Sequence, residues 1–190
     1  MAERKRLTAD NWARAAFEAL ATGGVAAVAV EPIAARLGAT KGSFYWHFSN
    51  RDALLEAALL LWERTETEDV ITFVETEPDL RARLRKLLAV ALGDAEAHTK
   101  GNRVELALQA SAGHPLVAPV LARVTGRRVG YLAELFAGLG FPPDEARQRG
   151  LLAYTAYLGH AQLAHATPEA APKGAELSAY VDTVIATLAR

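Results

Sequence analysis

The chain has 190 residues, 51% of them apolar and 23% charged, with a formal net charge of −1. That much apolar surface can bury a real core in one large domain or two small ones, which excludes a disordered chain. The absence of cysteine excludes a disulfide framework and a thiolate metal site and fits a reducing cytoplasm. The start, Met1 to Arg6, leads into a polar helix without an apolar signal core, and the apolar runs are interrupted well before the ~18 residues of a membrane span, so a cytoplasmic protein with no membrane span is expected. Charge is spread unevenly: residues 1 to 51 carry a net +3 and residues 52 to 190 a net −4. The basic end is the candidate end for nucleic acid, although on charge alone a solvated basic surface is an equally good reading.

Thr8 is placed to cap a first helix whose stripe is Trp12, Ala13, Ala16, Phe17 and Leu20, with Gly23-Gly24 expected to end it. Arg4-Lys5-Arg6 ahead of it is either a basic arm that reaches phosphates or a frayed, solubilising terminus. A second helix is expected from about Val30, with Pro32 in its first turn, where a missing N–H costs little. Ala29 offers it no side-chain cap, a loss of about 1 kcal/mol. Gly38, just past Leu37, suits the left-handed cap that stops a helix.

Thr40 is a good N-cap for a third helix starting about three residues later, and a short turn containing Gly between two short helices is a helix-turn-helix arrangement. Helical spacing sends Phe44 and Phe48 to one side as an anchor and Gly42 and Trp46 to the other. Thr40, Ser43 and His47 fall on one flank of that outer face, Lys41 and Tyr45 on the other, and Arg51 follows one turn later, placed to bond a backbone phosphate. If Trp46 were mostly buried instead, contact would rest on Tyr45, His47 and Arg51.

From Asp52 a long helix is expected through Leu54, Leu55, Ala58, Leu59, Leu61 and Trp62 to about Phe73 or Glu75. After the break at Glu77-Pro78-Asp79, Asp79 can cap a helix carrying Leu80, Leu84, Leu88 and Leu92. Gly101-Asn102 is expected to separate it from residues 104 to 109, and Gly113-His114-Pro115 marks another break. Val117 to Leu139 reads as a long helix closed by Gly138 and Gly140 ahead of Pro142-Pro143. Asp144-Glu145 opens the next, nearly apolar all round from residue 150 to 163. A linker from Thr167 to Gly174 precedes a last helix, Glu176 to Leu188. The expectation is an all-α protein of about nine helices; Val25 to Val30 is too short and alanine-rich to count as a strand. The apolar excess on residues 150 to 163, with the last helix, suggests a homodimer through a four-helix interface, weighed against a single-chain core that hides it all.

The histidines show no metal-ligand spacing, and no hydrolase, phosphate-loop or dinucleotide fingerprint is present, so neither metal, cofactor nor enzymatic activity is expected.

The run Gly38-Ala39-Thr40-Lys41-Gly42-Ser43-Phe44-Tyr45-Trp46-His47-Phe48-Ser49-Asn50-Arg51-Asp52-Ala53-Leu54-Leu55 resembles the DNA-binding signature of the tetracycline-repressor (TetR) family of bacterial transcriptional regulators. The resemblance covers roughly residues 7 to 60, departing from the family at Ala29, where Ser or Thr is favoured. It implies a helix-turn-helix DNA-binding domain at residues 1 to 51, and a helical regulatory and dimerisation domain at 52 to 190, with the helix from residue 52 linking the two. It further implies a homodimeric, ligand-responsive repressor that binds a pseudo-palindromic operator in double-stranded DNA and is released by a small-molecule effector. Tyr45, Ser43 and Arg51 would hold phosphates, and Thr40, Lys41, Gly42, Trp46 and His47 would approach bases. Candidates for the effector pocket are Trp62, Phe73, His98, Gln109, His114, Tyr131, Phe136, Tyr154 and Tyr157, against the plain reading that aromatics at helical spacing are core. The rival function is a helical ligand-binding or interaction module whose DNA-reading unit is vestigial.

Overall fold

The computed structural model of the chain describes residues 7–93 and 96–190, the side chains of 96–99 excepted. The Arg4-Lys5-Arg6 arm and the His98 side chain therefore lie outside the described residues. The elements are α1 (Ala9–Ala27), α2 (Val30–Arg36), α3 (Lys41–Phe44), α4 (Arg51–Glu63), a π-helical turn (Arg64–Glu68), α5 (Asp69–Glu75), α6 (Leu80–Leu92), α7 (Glu96–Ala110), α8 (Val117–Gly138), α9 (Pro143–Ala166) and α10 (Gly174–Leu188). Helix runs without a break from residue 51 to 75. Taken as one, that stretch makes nine helices among the described residues, with no strand: the protein is all-α, as expected.

Two compact units emerge, and compactness divides the chain elsewhere than the functional boundary expected after residue 51. The first comprises residues 1–63 and 103–121, the second residues 64–102 and 122–190. Helix α4 joins the first unit because Leu54, Leu55, Ala58 and Leu59 are wholly buried there, where α4 packs against α1.

In the first unit α1 opens with a capping box, the Thr8 side chain accepting from the Asn11 N–H and the Asn11 side chain accepting from the Thr8 N–H. Gly23-Gly24 breaks the helical dihedrals as expected, with Gly24 at φ +64°, but one further turn, to Ala27, follows the kink. That turn occupies the stretch that could have passed for a strand. Helix α2 has Ala29 at its N-cap and no side-chain cap.

In the second unit, α5, α6, α8, α9 and α10 share one core that includes Ile71, Leu84, Leu88, Leu135, Phe136 and Ile185. Asp79 caps α6 by accepting from the Ala82 N–H at 2.8 Å. Cations from two helices hold the C-terminal end of α10: Arg81 donates to the Ala189 carbonyl at 3.1 Å, and Arg149, stacked over the Phe141 ring at 3.9 Å, donates to the Leu188 carbonyl. These cations meet the orphan carbonyls and the negative end of the helix dipole.

Gly101 does not separate two helices. It lies inside α7, buried, where an added Cβ would fall on the carboxylate of Glu66. Its small size serves an approach between elements, a use that mimics a helix breaker in the sequence.

Gly150 on α9 sits against the α8 backbone, so that a Cβ there would stand 2.9 Å from the Ala133 nitrogen and 3.1 Å from the Val129 oxygen. Backbone cannot swing aside as a side chain can. Gly150→Ala is expected to destabilise the protein by about 1–3 kcal/mol through overpacking, measured by chemical denaturation; an unchanged midpoint would show that α8 and α9 can part at no cost.

Candidate nucleic-acid interface

Helix α2 ends in a Schellman cap. Gly38, at φ +62°, donates to the Ala35 carbonyl at 3.1 Å and Ala39 to the Ala34 carbonyl at 2.9 Å. The chain then turns into α3, where the Thr40 hydroxyl accepts from the Ser43 N–H at 3.2 Å. Helix α3 is a single turn, continued by hydrogen bonds from the His47 and Phe48 N–H groups to the Phe44 carbonyl.

A helix this short has no stability of its own and must be held by packing. Phe44 supplies the hold. It is wholly buried, meets Trp12 of α1 edge-on at a centroid distance of 5.4 Å and stacks on the half-buried Phe48 at 5.7 Å. With that side pinned, the other faces water: Trp46 is 87% exposed, Tyr45 57%, and Thr40, Lys41 and Gly42 are also exposed, while Ser43 and His47 are half-buried. A Cβ at Gly42 would meet only the Thr40 hydroxyl, at 3.7 Å, so the surface there is open to an approaching groove.

The charges are arranged differently from the expectation. Arg51 is engaged within the protein. Its Nε donates to the Val28 carbonyl at 2.8 Å, its Nη2 to the Val25 carbonyl at 2.6 Å and its Nη1 to Asp52 at 3.2 Å. The planar guanidinium fork is taken up in bracing the end of α1, where the Val25 carbonyl also accepts from the Val28 N–H at 3.2 Å and the Val28 carbonyl lies past the last helical residue. Lys41 is also engaged: its Nζ lies 2.5 Å from the carboxylate of Glu31 on α2. The hydrogen bond from Lys41 lowers the Glu31 pKa, and the same contact raises that of Lys41, so both stay charged at neutral pH. Arg14 pairs with Asp10 at 2.7 Å and Arg36 with Glu18 at 3.7 Å. Every cation among residues 7–51 thus stands beside an acid, and of the net +3 of the basic end residues 7–51 contribute only +1.

The second unit holds a cavity of about 80 Å³, lined by Val70, Ile71, Leu87, Leu88, Leu132 and Ala153 and, on its polar side, by Glu66, Thr67, Asn102, Arg128, Tyr131, Tyr154 and Tyr157. That is space for several water-sized groups. Tyr157 donates to the Asn102 side chain at 3.0 Å, and the Tyr154 hydroxyl lies 3.3 Å from that of Thr125. Arg128 donates to the Thr67 hydroxyl and the Glu66 carbonyl, both at 3.0 Å, with its guanidinium 5.7 Å from the Tyr157 ring centroid. Burial first, and the Glu75 carboxylate second, push the Tyr131 phenol up against the opposing Arg83 and Arg127 cations, so it remains a neutral hydroxyl.

Of the expected pocket residues, Tyr131, Tyr154 and Tyr157 come together here. Phe136 is core of the same unit, and Phe73 is exposed beneath the Lys86 ammonium, 4.0 Å from its ring centroid. Trp62, Gln109 and His114 belong to the first unit. Asn102, Arg128, Glu66 and Thr67 were missed, since nothing local marks a polar residue as cavity-lining.

Residues 13–58 match the sequence model of the bacterial regulatory proteins of the tetR family. Over those residues the chain carries a domain of the tetR family. The fold is also similar to that of solved structures over nearly the whole length. A transcriptional regulator from Rhodococcus sp. Rha1 superposes with a TM-score of 0.82 at 23% identity, covering 96% of each chain. A TetR-family transcriptional regulator from Streptomyces coelicolor gives 0.74 at 18% identity, covering 95% of this chain and 87% of the other. A protein from Saccharomonospora viridis, solved in complex with choline, gives 0.81 at 16% identity, covering 94% and 95%. At such identities the likenesses speak for the fold alone. No curated protein matches the chain. Among the described residues no helix is long and apolar enough to cross a membrane.

Arg51→Ala leaves the Val25 and Val28 carbonyls without their charged donor. It is expected to lower stability by about 1–2 kcal/mol, discounted from the usual worth of such bonds because Arg51 is partly exposed. Thermal melting checks this, with DNA affinity corrected for folded fraction; a loss of affinity with no loss of stability would return Arg51 to the phosphates.

Proposed function

We propose that the protein is a homodimeric repressor that binds a pseudo-palindromic operator in double-stranded DNA through α2 and α3 and is released by a small-molecule effector. The observation that carries the reading is the division of α3 and its flanking turns, residues 40–48, into a pinned aromatic side and an exposed side bearing Trp46, Tyr45, Lys41, Gly42 and Thr40. Such a face, one turn long and free of bulk at Gly42, suits a major groove, with hydroxyls of Ser43 and Tyr45 for phosphates and Thr40, Lys41, Trp46 and His47 toward base edges. Arg51 serves this contact from behind, as a brace.

The homodimer is supported by Leu151, Leu152 and Leu163 of α9, which are 51%, 57% and 38% exposed. Large apolar side chains grouped on one helix mark an interaction surface. With α10 they would meet the same face of a second copy across a two-fold axis, giving two reading helices about 34 Å apart for two half-sites. The effector would sit in the cavity of the second unit: compact, largely apolar, with one polar end toward Asn102 and Tyr157. A coupling of about 1–3 kcal/mol between effector and DNA would change affinity 5- to 150-fold. A cytoplasmic site of action goes with this function. The rival reading, a helical module with a vestigial DNA-reading unit, draws support from the pairing of Arg14, Arg36, Lys41 and Arg51 with acids.

Selection of bound duplexes from a random pool separates the two, because a vestigial unit enriches no sequence. Small molecules are then screened for release of the enriched duplex. Trp46→Ala, at a site with almost no burial, is expected to lower affinity for that duplex about tenfold or more at an unchanged melting temperature; wild-type affinity would place the reading face elsewhere. Leu152→Glu is expected to give a monomer in sedimentation equilibrium. A Leu152→Glu dimer as tight as wild type would exclude this face of α9 from the interface.

A further inference from the structure

Glu31 is an unusual residue to find on a face that approaches DNA, since a lone carboxylate there repels phosphate. In this chain it is joined to the first residue of the reading helix. Lys41 Nζ and the Glu31 carboxylate are 2.5 Å apart, and their side chains remain 56% and 64% exposed. The pair presents a donor and an acceptor side by side to solvent.

An ammonium has three N–H donors and a carboxylate four acceptor positions. Their contact, together with the bond that the Glu31 carboxylate accepts from its own backbone N–H, still leaves two donors on Lys41 and further acceptor positions on Glu31 for a ligand. Among the four base pairs seen from the major groove, guanine offers two acceptors, N7 and O6, and its partner cytosine one donor, the N4 amino group. Lys41 is complementary to the first, Glu31 to the second. An A·T pair meets the couple less well, because the adenine N6 amino group lies next to N7 and opposes the ammonium.

We propose that Glu31 is a specificity-determining residue that, with Lys41, reads one G·C pair in each half-site: Lys41 donates to guanine and Glu31 accepts from cytosine. The inference rests on the DNA-binding reading above. The contact between the two residues also holds the ammonium against the protein, so Lys41 is oriented before DNA arrives and loses less side-chain freedom on docking. Glu31 thus lowers general attraction to phosphate and raises discrimination among bases.

The test is selection of duplexes from a random pool by the full-length protein, by Glu31→Gln and by Glu31→Ala, followed by competition binding. Both variants change an exposed side chain, and melting temperatures confirm equal folding. Wild type is expected to enrich a G·C pair at one position of each half-site. Glu31→Gln, whose amide pairs with adenine N6 and N7, is expected to shift that position toward A·T, with discrimination against A·T falling roughly tenfold or more. Glu31→Ala is expected to lose the preference there and to bind unrelated duplexes more tightly, with a steeper dependence on salt, since the freed Lys41 adds one phosphate contact. Should the variants enrich the same bases as wild type at every position, or bind all duplexes more tightly with no change in preference, Glu31 does not read DNA. A wild type that enriches nothing overturns the regulator reading itself, a result distinct from either.

Discussion

The edge-on contact of Phe44 with Trp12 is the constraint on which the reading face depends. Helix α3 spans four residues and cannot persist without tertiary support. Its orientation is fixed because one wholly buried ring meets another wholly buried ring at 5.4 Å, with Phe48 stacked behind. Aromatic pairs have preferred geometries as well as area, so the contact sets rotation about the helix axis along with depth. The exposure of Trp46 follows: two residues after Phe44, it is carried to the opposite side, and no other element covers it.

The features legible in the sequence are those whose causes lie close along the chain. Gly38 announces a left-handed cap and Thr40 an N-cap, and both operate on backbone groups within five residues. The i,i+4 spacing of Phe44 and Phe48 gives the buried side without knowledge of what covers it. Arg51 is the opposite case. Its acceptors at Val25 and Val28 lie 26 and 23 residues back, and no local pattern distinguishes an arginine that braces a helix end from one that waits for phosphate. Gly101 misled in the same manner, since the carboxylate that requires its small size belongs to Glu66. The cavity shows the limit most clearly. Tyrosines 131, 154 and 157 sit at helical spacings that say buried, but only packing tells which buried rings border empty space.

Charge needed three dimensions in a further sense. Counting residues gives the first 51 a net +3, of which residues 1–6 supply +2 and residues 7–51 only +1. Among the described residues of that stretch, however, Arg14, Arg36, Lys41 and Arg51 each have a carboxylate within 4 Å. Exposed pairs of this kind contribute little to stability, so their effect is on the external field. They confine positive potential to short range, where hydrogen-bond geometry rather than net charge decides what binds.

That confinement bears on how a small reading helix can discriminate. Non-specific affinity for DNA comes from cations released to phosphates and is lost steeply with salt, while discrimination comes from donors and acceptors matched to base edges. A face with several free arginines would hold any duplex and gain little more from the right one. On the proposed reading, a face with few free cations binds random DNA weakly and draws most of its affinity from matched contacts, so the ratio of specific to non-specific binding is large even where the absolute affinity is moderate. In a genome that ratio, taken with the number of competing sites, determines occupancy. In the proposed dimer, two such faces would multiply the discrimination, because both half-sites would have to match at the same spacing before the second reading helix could dock.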